Sequence, residues 1–282
     1  MATTVSLINM KGGVGKTTLA FNLAWYSAWQ ANLKVLAVDL DPQANLSQYF
    51  MGAIDYLNYI QGNNATVVDI FEQFSAPIIT RNYNSLTPSN VIYKLHAWND
   101  GSLLHLIPSR LELAWTLKNP TDKAQLLPQF LSQVIDKYDL IIIDCAPTES
   151  ILTTSAYHSS QYIIVPVKPE FLATIGLPLL ARSLNEYHQR NHNAKLKMGG
   201  IIFNGKRRVN TPPAQIEACQ EVKKLANNYK WRVLENEAYY SDSYPAGSRE
   251  ANPIFMTSYA REYVKNEFYE VGENFLITVG LK

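Results

Sequence analysis

The stretch MKGGVGKTTLA, residues 10–20, follows the apolar run TVSLIN, residues 4–9, and precedes a segment of helical character. It matches the phosphate-loop pattern G-x-x-x-x-G-K-[ST] except at the first position, where Met10 replaces glycine. Glycines let a chain curl tightly enough for its backbone N–H groups to surround phosphates, and the N-terminus of the following helix adds positive partial charge. The stretch therefore predicts a nucleotide-binding loop between a strand and a helix, although a plain glycine-rich turn is the alternative.

Individual side chains of this loop have expected tasks. Lys16 is expected to reach the β- and γ-phosphates of ATP, and the Thr17 hydroxyl is expected to hold Mg²⁺. Lys11, at the front of the loop, is a lysine that the pattern does not require. The residues expected to contact the nucleotide here are Lys11, Gly12, Gly13, Val14, Gly15, Lys16, Thr17 and Thr18.

Apolar runs recur along the chain and predict the strands of a sheet. They occupy residues 4–9, 34–40, 102–108, 139–145, 161–167 and 198–204. The runs are nearly continuous rather than alternating, which is typical of parallel strands buried on both faces. Helices are expected over residues 17–31, 121–137, 173–190, 212–228 and 255–276, with short helices and loops over 51–101. The order predicts an α/β fold, a doubly wound, mostly parallel sheet flanked by helices on both faces, in a single domain over 1–282.

Carboxylates lie at the ends of two of these runs. The second run continues into DLDPQANLS, which contains Asp39 and Asp41, and the fourth continues into DCAPTES, which contains Asp144. Ligands of open α/β sheets bind at the carboxyl ends of the strands, and a Mg²⁺–nucleotide needs an acidic group there. These aspartates could instead cap the next helices. Three of them at two strand ends, together with a phosphate loop, favour a metal–nucleotide site.

Composition limits the class of protein. The 282 residues are 47% hydrophobic and carry a formal net charge of +1. The two cysteines, Cys145 and Cys219, form no CxxC pair, which favours a reducing compartment and argues against a metal or disulfide framework. We find no signal-peptide pattern and no apolar run long enough to span a bilayer, so we expect a cytoplasmic protein.

Four segments together resemble the ParA/MinD family of deviant Walker ATPases. They are KGGVGKTTLAFNLA, VLAVDLDPQANLS, DLIIIDCAPTES and IIVPVKPEFLATIGL, and the resemblance extends from Thr4 to about Gly205. The DLDPQ and VPVKPE segments are more similar to the ParA/Soj branch than to the MinD branch. No helix-turn-helix segment precedes the loop, so the sequence is similar to the short ParA type, which includes carboxysome-positioning, McdA-like members.

The resemblance implies roles for the residues already singled out. It identifies Lys11 as the signature lysine, which crosses the interface of an ATP-bound homodimer to the phosphates of the partner. It implies that Asp41 positions the attacking water, that Asp39 lies near Mg²⁺ and that Asp144 is the Walker B-type aspartate. Catalysis would then rest on Lys11, Lys16 and Asp41, and the metal site on Thr17, Asp39 and Asp144.

The resemblance also places two residues near the nucleotide and implies partners. Asn204 matches a position near the base, and Pro169 lies in a loop near the nucleotide. ParA-type members bind nucleoid DNA without sequence preference and release it when a ParB-like or other cargo adaptor stimulates ATP hydrolysis. The cargo is a plasmid, a chromosome or a protein organelle such as a carboxysome, and the sequence does not decide between them.

Charge distribution discriminates between DNA and a membrane as the surface that the dimer uses. Between residues 195 and 232, nine Lys or Arg face two Glu, a local charge of +7. Such a region can neutralise DNA phosphates, although a solvated helix face is the alternative. The residues expected to bind DNA are Lys206, Arg207, Arg208, Lys223, Lys224, Lys230 and Arg232; Lys195 and Lys197 complete the nine.

Two other classes are alternatives. A MinD-like protein would carry a basic amphipathic C-terminal helix, but the segment after Arg261 has four Glu against two Lys, which disfavours binding to an anionic membrane. A P-loop redox ATPase would need cysteines spaced to hold a metal cluster, and the spacing of Cys145 and Cys219 does not indicate one. A metabolic P-loop ATPase would have no obvious use for Lys11. We therefore expect nucleoid association and no membrane partner.

Overall fold

The structure is a computed structural model that describes residues 1–73, 86–118, 123–171 and 173–282. The strands are β1 (Thr3–Leu7), β2 (Lys34–Leu40), β3 (Tyr93–Ala97), β4 (Leu103–Ile107), β5 (Leu140–Cys145), β6 (Tyr162–Val167), β7 (Lys197–Lys206) and β8 (Ala238–Tyr239). They form one sheet in the order β3-β4-β2-β5-β1-β6-β7-β8. Neighbouring strands are parallel, except that β3 runs antiparallel to β4.

Helices cover both faces of this sheet. They are α1 (Lys16–Trp25), α2 (Asn45–Met51), α3 (Ala53–Gln61), α4 (Val67–Glu72), α5 (Pro88–Val91), α6 (Leu113–Thr116), α7 (Leu126–Ser132), α8 (Ile151–Ser159), α9 (Ala173–Arg190), α10 (Pro213–Tyr229), α11 (Ser243–Arg249) and α12 (Glu262–Thr278). A π-helical turn, Tyr26–Gln30, extends α1, and a 3-10 turn, Ile135–Lys137, follows α7.

Two hydrophobic cores lie on opposite faces of the sheet. One packs α4, α7, α8, α9 and α10 against the sheet, and the other packs α1, α2 and α12. Successive β5 side chains belong to different cores, because side chains alternate across a strand: Ile141 and Ile143 pack in the first, Leu140 and Ile142 in the second. This arrangement explains why β5 reads as an unbroken apolar run.

The predicted fold class is confirmed, with differences at its edges. The region 51–101 contains the antiparallel edge strand β3 as well as the expected short helices; its residues 74–85 lie outside the described residues. The strand β8 and the helix α8 were not predicted, and the last helix begins at Glu262 rather than at 255. The prediction for 121–137 falls partly on 121 and 122, also outside the described residues. Among the helices of the described ranges, none is both long and apolar enough to cross a membrane.

Candidate nucleotide-binding site

The loop between β1 and α1 depends on glycine. Gly13 and Gly15 have φ values of 72° and 82°, in the left-handed region that favours glycine. A Cβ at Gly15 would come within 2.0 Å of the Asn204 side-chain nitrogen. That nitrogen donates a hydrogen bond to the Val14 carbonyl oxygen at 2.8 Å. Asn204, at the end of β7, therefore lies directly against the loop.

Asn9 fixes the front of the loop. Its side-chain amide donates to the Pro166 carbonyl oxygen on β6 at 2.8 Å, and its Oδ1 accepts from the backbone N–H of Lys11 at 2.9 Å. The Lys16 ammonium group donates to the carbonyl oxygens of Asn9 and Lys11, at 3.2 and 3.3 Å. Lys16 is only 6% exposed. Burial lowers the pKa of Lys16, and the nearby Asp144 carboxylate opposes this effect.

Asp39 is held within a buried hydrogen-bond network. Its Oδ2 accepts from the backbone N–H and the hydroxyl of Ser47 at 2.8 and 2.6 Å, and its Oδ1 accepts from the backbone N–H of Asp41 at 3.2 Å. Ser47 Oγ in turn accepts from the backbone N–H of Ser109 at 2.9 Å. Burial raises the pKa of Asp39 to about 7, although the Ser47 hydrogen bonds act in the opposite direction. Asp39 thus joins the segments after β2 and β4.

Asp144 differs from Asp39 because its carboxylate is not satisfied. Both of its oxygens are buried, and neither accepts a regular hydrogen bond from the described part of the chain. Burial raises the pKa of Asp144 well above its usual value, and the Asp39 carboxylate adds to this; the Thr17 hydroxyl and Lys16 lie close enough to oppose it. An unsatisfied buried carboxylate is costly, so its position beside Lys16 and Thr17 fits a site for a cation.

A cavity of about 400 Å³ opens over the loop. Glycines 12, 13 and 15 line it with Lys16, Thr17, Thr18 and Asp41, and four residues that the sequence did not single out complete the lining: Gln43, Asn45, Tyr49 and Pro147. No group of three or more His, Cys, Asp or Glu residues that could hold a metal ion alone occurs in the described ranges.

Lys11 is paired within its own chain. Its ammonium group lies 2.6 Å from Oε2 of Glu170, and the Lys168 ammonium group lies 2.6 Å from Oε1 of the same carboxylate. The two lysines lower the pKa of Glu170 through these hydrogen bonds. Pro169, the residue before Glu170, does not line the cavity over the loop but a separate groove. Sequence reasoning missed Glu170, although it stands in the quoted VPVKPE segment.

The basic residues expected to bind DNA differ in whether they are ion-paired. Lys206 is paired with Glu237 at 2.7 Å, and Arg208 is paired with Glu267. The Arg208 guanidinium also lies over the rings of Tyr239 and Tyr263. Lys206 and Arg208 therefore tie the end of β7 to β8 and α12, whereas Arg207 is exposed.

The remaining cations are exposed, and some of them lie towards the amino end of β7. Lys195 and Lys197 are at its amino end, roughly 30 Å from Lys206 at about 3.3 Å per residue. The backbone carbonyl of Arg232 accepts from Ile201 on the same strand at 2.8 Å. We call the following exposed residues the lower basic group: Lys195, Lys197, Lys223, Lys224, Lys230 and Arg232.

Comparison with known proteins agrees with this geometry. The AAA_31 family, described as an AAA domain, matches residues 2–198. The chromosome-partitioning ATPase Soj of Treponema pallidum is 33% identical over 206 residues, which cover 72% of this chain and 71% of Soj. An uncharacterized protein of Methanocaldococcus jannaschii is 34% identical over 203 residues, 71% of this chain and 72% of that protein.

Among solved structures, apo McdA of Cyanothece has a similar fold. Its TM-score is 0.80 at 18% identity, and the match covers 98% of this chain and 100% of McdA. The phosphate loop, the acidic residues at the carboxyl ends of β2 and β5, and the doubly wound sheet are all in place. The chain therefore belongs to the AAA_31 family and, within it, to the ParA/Soj-like ATPases.

Proposed function

We propose that this ATPase binds Mg²⁺–ATP, closes into a homodimer and, in that state, binds nucleoid DNA without sequence preference. A cargo adaptor then stimulates hydrolysis and releases the dimer, which distributes a plasmid, chromosome or protein organelle. We take residues 1–282 to act as a single ATPase domain. The observation that carries the proposal is the buried, unsatisfied Asp144 carboxylate beside Lys16 and Thr17.

The site residues divide the task of binding and hydrolysis. Backbone N–H groups of the loop and the Lys16 ammonium group would hold the phosphates, and Thr17 with Asp144 would hold Mg²⁺. When bound, Mg²⁺ would neutralise part of the negative charge of the phosphates. Asp41, which lines the cavity, would orient the attacking water, while Asp39 acts through Ser47 to fix this segment. Asn204, which lies against the loop through its hydrogen bond to the Val14 carbonyl oxygen, would contact the base side of the nucleotide.

The Asp144→Asn variant distinguishes the effect of the Asp144 carboxylate on protein stability from its effect on ATP hydrolysis. We expect magnesium-dependent hydrolysis to fall by about 100-fold or more, because the ligand charge is lost. We expect the nucleotide-free protein to unfold at the same temperature or higher, because an unsatisfied buried carboxylate is removed. Calorimetry without nucleotide and phosphate release with Mg²⁺–ATP test this. A large loss of thermal stability with normal hydrolysis would contradict it.

DNA binding is assigned to the lower basic group together with Arg207, and not to Lys206 or Arg208, which are ion-paired inside the protein. Exposed cations without an acidic partner can release counterions from DNA at little cost. We expect Lys223→Ala with Lys224→Ala to weaken DNA binding in ATP about tenfold and to lower the salt slope by roughly 1 to 2.

Fluorescence anisotropy with a labelled duplex at several salt concentrations measures both quantities. The matched control is Lys94→Ala with Lys118→Ala, which removes two exposed lysines outside this region. Equal affinities for the two double variants would show that the lower basic group does not touch DNA.

The C-terminal helix supports DNA rather than a membrane as the surface. The apolar side chains of α12, including Val264, Phe268 and Phe275, are buried in the core against α1 and the sheet. A helix that lies on a membrane must offer its apolar face to lipid. We therefore propose no membrane partner. Co-sedimentation with DNA and with anionic liposomes, in ADP and in ATP, distinguishes the two surfaces.

A further inference from the structure

Another cavity, of about 670 Å³, lies at the opposite edge of the sheet from the phosphate loop. Thr4, near the amino end of β1, and Gln161, just before β6, line it, whereas the phosphate loop follows the carboxyl end of β1. The C-terminal ends of α7, α8 and α9 form the rest of its wall. The two cavities have no lining residue in common. A volume of this size is typical of a small-molecule site, and the nucleotide-binding role of the chain leaves it without a function.

The lining of this cavity is basic. Arg190 and Lys195 line it together with His158 and His192, and none of its lining residues is Asp or Glu. Within the described ranges, no acidic side chain lies at ion-pair distance from Arg190 or Lys195. Two cations beside a concave surface without acids favour an anionic ligand.

The helix ends at the cavity would oppose an anion, because the C-terminus of a helix carries negative partial charge. Three lining side chains offset this effect by capping carbonyl oxygens three or four residues earlier. The hydroxyls of Ser132 and Ser159 donate at 2.7 and 2.8 Å, and the side-chain amide of Asn191 donates at 2.9 Å. The terminal carbonyl oxygens that these groups cap are therefore satisfied within the protein, and the formal charges of the lining side chains are positive.

Thr4 adds a buried hydroxyl that has no partner. Its side chain is fully buried, and its Oγ1 makes no hydrogen bond with the described part of the chain. Val5 and Leu7 pack in the core on the other side of β1, so Thr4 faces the side of α8 and α9. Ser6, on the same side as Thr4, is satisfied by the Ser160 hydroxyl at 2.6 Å. An unsatisfied hydroxyl in the wall of a cavity fits a site where a ligand supplies the acceptor.

We propose that this cavity binds a small organic phosphate, in which a phosphate group is attached to a planar or apolar body. Arg190 and Lys195 would hold the phosphate through charge-assisted hydrogen bonds. The apolar body would pack against Leu131 and Leu196, which also line the cavity. The Thr4 hydroxyl would donate to an oxygen of the ligand.

A phosphate of duplex DNA fits this cavity less well than a free ligand does. The phosphates of a duplex lie on a convex surface and can reach only the exposed rim, where Arg190 and Lys195 are. The cavity extends inward to Thr4 and Tyr157, which are 0% and 2% exposed. A small molecule can occupy that inner part, whereas a double helix cannot.

Lys195 connects this cavity with the proposed DNA surface, because it lines the cavity and belongs to the lower basic group. A bound phosphate would neutralise Lys195 and so lower the affinity for DNA, and by reciprocity DNA would lower the affinity for the ligand. This linkage rests on the proposed DNA binding; the site itself does not.

Calorimetric titration with phenyl phosphate tests the site, and phenol is the uncharged counterpart. The protein is saturated with Mg²⁺–ADP, so that the phosphate loop is occupied. We expect phenyl phosphate to bind and phenol not to bind. Arg190→Gln with Lys195→Gln should weaken binding about tenfold or more. The matched control is Arg182→Gln with Lys118→Gln, which removes two exposed cations that do not line the cavity. Equal affinity for the wild type and the Arg190/Lys195 variant overturns the proposal.

Thr4→Val distinguishes a ligand site from a purely structural role of this region. The substitution keeps the shape of the side chain and removes the unsatisfied hydroxyl. We expect the ligand-free protein to unfold at the same temperature or higher, and phenyl phosphate to bind several-fold more weakly. If Arg190 and Lys195 served only to stabilise the helix ends, their replacement would lower the unfolding temperature and no variant would change a measurable affinity for phenyl phosphate; that result overturns the proposal.

Two further measurements separate this site from the ATP site and from DNA. Lys16→Ala should bind phenyl phosphate normally while losing ATP binding, so that failure of the proposed function leaves the test of the cavity intact. If a short duplex prevents phenyl phosphate from binding to the ADP-bound protein, the cavity is a contact for DNA phosphates and the proposal is wrong. In ATP, phenyl phosphate should lower DNA affinity several-fold and phenol should not; an unchanged DNA affinity overturns the linkage through Lys195.

Discussion

Replacement of Lys16 by alanine is expected to lower ATP affinity by about 100-fold or more, because the ammonium group would donate charge-assisted hydrogen bonds to two phosphates, each worth roughly 1.5–3 kcal/mol. Lys16 is buried beside Asp144, so no water-exposed cation can take its place without rearrangement. In the variant, Asp144 and Asp41 would face the triphosphate without the compensating charge. Repulsion between these carboxylates and the phosphates would then add to the loss of the attraction between Lys16 and the phosphates.

Titration with ATP, followed by calorimetry or by the rise in unfolding temperature that a ligand produces, measures this loss. Circular dichroism of the nucleotide-free variant shows whether the fold is retained. Lys168→Ala is a matched control, because it removes a half-exposed lysine that pairs with Glu170 and does not line the cavity. Affinity in Lys16→Ala close to that of the wild type would refute the assignment of the loop.

The central strands were predictable because their environment is uniform. β1, β2, β5, β6 and β7 are buried on both faces by helices, and this burial leaves a continuous apolar run in the sequence. The edge strands lack that signal: β3 has mostly exposed or half-exposed residues, and β8 has only two residues. Their pairing is decided by the neighbouring strand rather than by their own composition.

The candidate site was predictable where a motif fixes the spacing. The loop, Asp39, Asp41 and Asp144 are all close to the carboxyl ends of neighbouring strands, as expected. Contacts between distant segments were not predictable, because no local pattern encodes them. The hydrogen bond from Ser109 to Ser47 joins residues 62 positions apart, and the Lys11–Glu170 pair joins residues 159 positions apart.

Counting charges along the sequence predicted that the region 195–232 carries a positive net charge. It could not predict which of the Lys and Arg side chains in this region are paired with acidic side chains. The acids that pair with Lys206 and Arg208, Glu237 and Glu267, lie outside that segment and are brought to it by β8 and α12. A count along the sequence cannot include such partners. The distinction matters for the proposed function, because the guanidinium of Arg208 is already engaged by Glu267 and by two tyrosine rings.

Lys11→Ala is expected to leave nucleotide binding nearly unchanged but to impair ATP hydrolysis and ATP-dependent dimerisation. ATP affinity of the single subunit should stay within about threefold of the wild type, because the Lys11 ammonium group pairs with Glu170 and Lys11 does not itself line the cavity in this structure. Hydrolysis should fall by roughly 1,000-fold, the effect of losing a cation supplied across an interface to the transferring phosphoryl group. ATP-dependent dimerisation should weaken as well, since the lysine would join one subunit to the other's triphosphate.

Light scattering with and without ATP, and phosphate release under single-turnover conditions, distinguish these effects. Lys168→Ala again serves as the control, because it frees one oxygen of Glu170 without touching Lys11. A second control comes from the pair itself: if Lys11 served only to neutralise Glu170, then Lys11→Ala and Glu170→Gln would have similar hydrolysis rates. The two variants should instead change the rate in opposite directions, because one removes the cation and the other releases it for use at the phosphates. Normal dimerisation and hydrolysis in Lys11→Ala would be compatible with a nucleotide site at the loop. They would contradict the proposal that Lys11 of one subunit reaches the triphosphate of the other.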